Sequence, residues 1–234
     1  MISVIIPAFR EGANVERSIA EIDRILSQQN EPYEILLVDD GSPDDTFAQA
    51  KALESKYKAL HALKHSHNQG PGAAFRTGFA ASKGDKVVTI DCDLSFDPTG
   101  IPALLEKLNT HDCAIGAQHR GGKMVNVPWQ RVFFSKLAFV LDSSIFGGGL
   151  PSYSSFFAGY RGGLIRALHF DGNGFDAQCE IYVRLMRQGA SMGTVPSTLA
   201  WKDKKRKSSM RIGREGKKRM KLWWRLNRFR NLAP

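Results

Sequence analysis

Residues 87–98 read Val-Val-Thr-Ile-Asp-Cys-Asp-Leu-Ser-Phe-Asp-Pro. A β-branched run of strand length stops there at two carboxylates one residue apart. In an extended chain residues i and i+2 lie on the same side. Asp91 and Asp93 are therefore set to converge on one hard cation, or one binds it while the other holds a substrate hydroxyl. Mg²⁺ takes one or two protein carboxylates and fills its shell with water and substrate phosphates. An isolated Asp-x-Asp reads more plainly as a turn after a strand, so the surrounding pattern must decide.

Working outward, Ser3-Val-Ile-Ile-Pro7 is a short, nearly all-apolar strand of the kind found in parallel sheets covered on both faces. Val15, Ile19, Ile22 and Leu26 fall on one stripe of a helix over 12–29. Glu34-Ile-Leu-Leu-Val-Asp39 is a second strand, ending in Asp39-Asp40-Gly41-Ser42, and residues 44–58 read as a helix capped by Asp44 or Asp45. A weaker strand at 61–65 leads into Asn68-Gln-Gly-Pro-Gly72 and a helix over 72–82. Strands alternating with helices indicate an α/β fold with a mostly parallel central sheet flanked by helices. Ligands of such sheets bind beyond the carboxyl ends of the strands, where Glu11, Asp40, Asp91 and Asp93 all stand. One site is implied. Downstream the pattern loosens: helices over 101–109, 128–141 and 176–188, a short strand at 114–117, and a Gly- and Ser-rich loop at 147–155.

At 234 residues the chain is one domain, or one with an appendage. A hydrophobic content of 42% excludes wholesale disorder. Three cysteines, Cys92, Cys113 and Cys179, are odd in number and lack metal-ligand spacing, which points to a reducing compartment and the cytosol. The first residues lack a basic signal-peptide region, and no run of about 18 apolar residues suggests a membrane span. The net charge of +10 is concentrated: residues 202–230 hold 14 Lys and Arg against Asp203 and Glu215, leaving residues 1–201 slightly acidic. The expected organisation is a domain over 1–201 and a basic tail over 202–234.

Three acidic strand ends in order, Pro7-Ala-Phe-Arg-Glu11, Val38-Asp-Asp-Gly-Ser42 and Asp91-Cys-Asp93, resemble the family 2 glycosyltransferases with the GT-A nucleotide-sugar fold, and within them the polyprenyl-phosphate (dolichyl-phosphate) sugar and mannose transferases. Asn68 to Gly78, Pro98, Gly174-Phe175 with Gln178 and Glu180, and Gly193-Thr-Val-Pro196 extend the resemblance. It implies an inverting, metal-dependent transfer of a sugar from GDP-mannose or a UDP-sugar to a lipid phosphate. Asp93 and Asp91 would hold Mg²⁺ or Mn²⁺ against the donor diphosphate, with Ser95 approaching the metal. Pro7, Phe9, Glu11, Val38 and Asp40 would surround the nucleoside, with the Cys92 backbone near the ribose; Asp40 suits a donor hydroxyl or the base edge. A lipid phosphate is already an anion near neutral pH, so no general base is required.

The chain departs from this pattern in its second half. After the fourth strand, Gln118 stands where a phosphate-binding arginine is expected, with Arg120 as its substitute. The loop Ser152 to Ala158 carries neither the usual acid nor the usual arginine. In the last basic pattern Lys202 takes an arginine's place, counting from Pro196, and Ser209 a lysine's, counting back from Met210. The departures leave open a glycan or glycolipid acceptor, or a non-catalytic membrane-associated relative.

Other features have plainer readings. Gly70-Pro-Gly72 is a structural turn rather than a dinucleotide loop, because Phe75 stands at the third glycine's place. His61, His65 and His67 alternate on a half-exposed edge strand with no acidic partner nearby in sequence, which disfavours zinc. Gln178 and Glu180 are either solvent-facing helix residues or, by the family register, Glu180 faces the site. In the tail, Lys217, Lys218, Lys221, Arg225 and Arg228 share one helical arc, opposite Met220, Leu222, Trp223, Trp224, Leu226 and Phe229, with Arg219 and Arg230 interrupting the apolar side. That composition suits a helix lying in a membrane interface. A peripheral enzyme at the inner membrane face is expected, with a separate membrane subunit possible and no specific nucleic-acid partner.

Overall fold

The computed structural model describes residues 1–118, 121–147, 149–201 and 219–226. Sequence readings on Arg120, Lys202, Ser209, Lys217, Lys218, Arg228, Phe229 and Arg230 fall outside them. Four β-strands, β1 (Ile2–Ala8), β2 (Tyr33–Asp39), β3 (Leu60–Lys64) and β4 (Lys86–Thr89), run parallel in the order β3-β2-β1-β4. They are linked by α1 (Gly12–Leu26), α2 (Thr46–Leu53) and α3 (Pro71–Ala81). The order reverses at β1, which has β2 on one side and β4 on the other. This is the switch point at which α/β sheets open a crevice.

The all-apolar β1 is explained by its burial on both faces. Val4 and Ile6 pack toward Val15, Ile19 and Ile22 of α1, while Ile5 joins Phe75 and Phe79 of α3 in a second cluster. α2 stops at Leu53, short of the expected 58, because its last turn tightens: Lys56 and Tyr57 amides both donate to the Leu53 carbonyl. The Glu54 carboxylate leaves the helix to accept from the Ala62 amide at 2.8 Å.

Beyond α4 (Ile101–Lys107) the sheet continues with β5 (Cys113–Ala117). β6 (Lys123–Val125) and α5 (Trp129–Phe146) then lead to β7 (Ala158–Arg161), α6 (Gly162–Ala167), α7 (Asp176–Arg187), β8 (Met192–Pro196) and β9 (Thr198–Ala200). β7 inserts antiparallel between β4 and β5, and β8 pairs parallel with β5, completing a seven-stranded, mostly parallel sheet. β6 and β9 form a separate two-stranded ribbon. Sequence reading placed no strand at β6, β7, β8 or β9.

Part of the tail returns to the domain. Residues 219–226 are helical, and Leu222 and Leu226 are buried in the core cluster that includes α7. Arg219, which seemed to interrupt an apolar face, ion-pairs with the fully buried Asp142 of α5. The Trp223 indole also donates to Asp142, at 2.8 Å. The tail's apolar side is thus divided, with Leu222 and Leu226 facing inward and Met220 and Trp224 exposed. Among the described residues no helix is long and apolar enough to cross a membrane.

Candidate active site at the strand ends

The ends of β1 and β2 are adjacent, Ala8 lying opposite Asp39, and side chains fasten the loops that follow. Arg10 turns the chain in the left-handed region at φ 59, and its amide donates to Ser42 Oγ at 2.8 Å. The Glu11 amide donates to Thr46 Oγ1 at 2.9 Å, and Thr46 in turn donates to Asp44 Oδ1 at 2.6 Å. Asn14 Nδ2 donates to the Glu11 carboxylate at 2.6 Å. Pro7, Phe9 and Glu11 are held half-buried along this rim, with the Arg10 guanidinium 5.3 Å from the Phe9 ring centre.

Asp40 is buried and organises a third segment. Oδ1 accepts from the Gln69 amide at 2.9 Å, and Oδ2 accepts from the Gly70 amide at 2.7 Å. His65 Nδ1 lies 2.8 Å from Oδ1, and its Nε2 lies 2.9 Å from Thr77 Oγ1. His65 therefore has the acidic partner that sequence reading did not find, 25 residues away, while β3 is a half-exposed edge strand as expected. Gly70 sits at φ 101, and a Cβ there would lie 2.2 Å from the Asn173 carbonyl oxygen, so the loop is pinned on both sides.

β4 ends at Thr89, and Asp91 to Leu94 form a turn closed by the Leu94 amide on the Asp91 carbonyl at 3.0 Å. The extended geometry expected for Asp91 and Asp93 is replaced by this turn, with Leu94 at φ 50. Cys92 points into the core, its Sγ 3.6 Å from Ser18 Oγ of α1, and burial pushes its thiol up to about 12. Asp93 Oδ1 accepts from both the amide and the hydroxyl of Ser95, at 2.9 and 2.6 Å. The loop is braced from behind by β9, where the Ala200 amide donates to the Ser95 carbonyl at 2.8 Å.

Other anticipated residues lie apart from this rim. The Val38 side chain is buried in the core with Phe75, so it backs the site without facing it. Gln118 follows β5, and its Oε1 is buried without a hydrogen-bond partner among the described residues. Arg120 and Lys202 lie outside those residues. Glu180 does not face solvent. Its carboxylate is fully buried, accepting from the Asp171 and Gly172 amides and pairing with Arg184 and Arg225. Gln178 is buried beside the Tyr160 hydroxyl. Sequence reading missed the supporting side chains Ser42, Thr46, His65 and Thr77, whose roles exist only once distant segments meet.

A mostly parallel sheet with acidic strand ends at its switch point defines an α/β domain whose ligand crevice lies beyond those strand ends. Comparison with known proteins agrees. Residues 3–168 match the family profile described as Glycosyl transferase family 2, and the chain belongs to that family. It is 39% identical over 142 residues to a dolichol-phosphate mannosyltransferase of Pyrococcus furiosus, covering 60% of this chain and 40% of that protein. An undecaprenyl-phosphate mannosyltransferase of Micrococcus luteus is 29% identical over 201 residues, 83% of this chain and 81% of the relative. A polyprenol monophosphomannose synthase of Mycolicibacterium smegmatis is 30% identical over 83% of this chain and 76% of its own. This chain thus spans less than half of the Pyrococcus relative and most of the other two. Among solved structures, glucosyl-3-phosphoglycerate synthase of Mycobacterium tuberculosis superposes with a TM-score of 0.71 at 22% identity, over 95% of this chain and 78% of that one. The same enzyme has been solved with Mg²⁺ and uridine diphosphate, at a TM-score of 0.65. These likenesses establish the GT-A fold.

Proposed function

We propose that this chain transfers a sugar, with inversion, from a nucleotide donor (GDP-mannose or a UDP-sugar) to a polyprenyl phosphate at a membrane surface. The observation that carries this reading is the gathering of Glu11, Asp40 and Asp91 to Ser95 beyond the ends of β1, β2 and β4, around the switch point. The names of the polyprenyl-phosphate transferases among its relatives support the acceptor class.

In this reading Pro7, Phe9 and Glu11 flank the nucleoside, with Val38 behind them. Asp40 holds the 65–70 loop as a wall and meets a donor hydroxyl or the base edge, and the Cys92 backbone runs beside the ribose. Gln118 Oε1 accepts from a donor hydroxyl, which would satisfy its buried lone pair. Arg120 and Lys202 complete the phosphate contacts. Asp91, Asp93 and Ser95 offer only oxygen donors, which suits a hard cation such as Mg²⁺ or Mn²⁺ that shares its shell with a diphosphate. When bound, such an ion offsets the charge that develops on the departing diphosphate. The acceptor phosphate is anionic near neutral pH and needs no base. A lipid acceptor sets the work at the membrane surface, and the buried, free thiols Cys92, Cys113 and Cys179 suit its cytoplasmic face.

The test is direct. Purified protein, Mn²⁺ or Mg²⁺, labelled sugar nucleotides and polyprenyl phosphate should give a lipid-linked product with one donor. No lipid-linked product with any common donor contradicts the proposal.

A further inference from the structure

The carboxylate of Glu180, on α7, joins the tail to the loops beside the site. Each of its oxygens is shared between one backbone amide and one guanidinium. Oε1 accepts from the Asp171 amide at 3.3 Å and from Arg184 Nε at 2.9 Å. Oε2 accepts from the Gly172 amide at 2.9 Å and from Arg225 Nη2 of helix 219–226. Glu180 is fully buried. A buried carboxylate is tolerated only when its lone pairs are filled and its charge is paired. Arg184, one turn along the same helix, answers one oxygen. Arg225 comes 45 residues later in the chain and answers the other.

We propose that Arg225 is a positioning residue for the donor site: through Glu180 it holds the 171–173 segment against the glycine loop that Asp40 clasps. The inference deepens the function proposed above and rests on it for the nucleotide. The connection runs on from Gly172 through the backbone. The Asn173 carbonyl accepts from the Gly72 amide at 2.9 Å. A Cβ on Gly72 would collide with the Gly172 carbonyl oxygen, and one on Gly70 with that of Asn173. Arg76 of α3 donates to the Gly172 carbonyl at 2.9 Å and to Asn173 Oδ1, which ties the segment to the helix that the glycine loop opens. The Gly70 amide is one of the two that Asp40 holds, at 2.7 Å. From Arg225 to Asp40 each step is thus a hydrogen bond or a close backbone contact.

Fastening the tail does not require this pair. Leu222 and Leu226 are buried, Arg219 and Trp223 hold Asp142, and Arg187 Nη1 donates to the Leu226 carbonyl at 2.7 Å. Arg225 goes to the 171–173 segment instead, and beyond Glu180 it stands 3.8 Å from Asp171. Its Nε is buried without a hydrogen-bond partner among the described residues, a cost that the pairing with Glu180 offsets. Coupling between two sites is reciprocal, so bound nucleotide should in turn steady the tail helix.

The test uses the full chain, with hydrogen–deuterium exchange of the protein alone and calorimetric titration of GDP and UDP in the presence of Mn²⁺. Arg225→Met keeps the apolar stem and removes the donors. It should speed exchange in peptides covering 68–74 and 171–173, and weaken whichever nucleotide binds by roughly threefold to tenfold. Arg225→Lys keeps the charge and should recover part of both effects; it carries the test alone if the methionine variant does not fold. In the wild type, bound nucleotide should slow exchange over 219–226. Faster exchange confined to 219–226 overturns the proposal, because Arg225 would then fasten the tail and nothing more. So does a nucleotide affinity equal in variant and wild type. If neither nucleotide binds the wild type while the exchange contrast over 68–74 persists, the donor reading falls and the link from Arg225 to the glycine loop stands.

Discussion

Residues 1–100 and residues 101–226 share one sheet but are held together differently. In the first half every strand is parallel and each is followed by a helix and then by the next neighbour or the switch-point strand. Its site is made of loops that continue those strands directly. In the second half β7 reverses direction between β4 and β5, and the closing contacts come from ion pairs far apart in sequence, Asp142 with Arg219 and Glu180 with Arg225. The contrast suggests a division of labour: the first half presents the acidic strand ends on a regular frame, and the second covers that frame and turns an apolar helix outward.

The effect that would most sharpen this contrast is on activity. Asp93→Asn keeps a hydrogen-bonding partner for Ser95 but removes the charge that would face a cation. Transfer should fall on the order of 100-fold or more with the fold intact by circular dichroism. Full activity in this variant would remove Asp93 from the site.

In the second half the corresponding substitution should act on stability instead. Asp142→Ala strips the partner from a largely buried Arg219 and from the Trp223 indole. Breaking such a pair costs about 3–5 kcal/mol, measurable as a lower urea midpoint. An unchanged midpoint would mean that helix 219–226 is not part of the folded unit.

Asp40→Asn should fall between these two. Asparagine can accept from one of the Gln69 and Gly70 amides through its Oδ1, but its Nδ2 meets the other amide as a second donor, so one of the two bonds is lost at about 1.5–3 kcal/mol. A raised donor KM with a stability loss of that order is expected; a pure stability loss would make Asp40 a brace only.

The smallest effect is on pH dependence. Cys92 and Cys179 have thiols pushed up to about 12 by burial, against an ordinary value of 9.0. Below pH 9 the folded and unfolded chains both keep these protons, so the stabilisation is whole. Between 9 and about 12 the unfolded chain loses them first, and stability falls as pH rises. Native thiols should react slowly with a disulfide reagent at pH 8.5 and fast in urea; rapid native reaction would contradict their burial.

The same contrast explains what the sequence disclosed. β1, β2 and β4 were legible because Val, Ile and Leu crowd strands buried on both faces, and α1 because its stripe is long and regular. Ala158-Gly-Tyr-Arg161 has no such signal, and its strand identity depends on neighbours some 45 to 75 residues away. The acidic strand ends announced a site, and of the two readings open for Asp91-Cys-Asp93, extended chain and turn, the structure takes the turn. His65 looked partnerless because Asp40 is distant in sequence, and Arg219 looked misplaced because Asp142 is more distant still.

The central claim is that the strand-end acids form a cation-dependent nucleotide-diphosphate site. Calorimetric titration of GDP and UDP into the wild type and Asp93→Asn, each with Mn²⁺ and with EDTA, tests it most directly. The account predicts that one nucleotide binds the wild type with Mn²⁺ and weakens about tenfold or more on chelation or in the variant. Binding that is indifferent to both, or absent for both nucleotides, would contradict it.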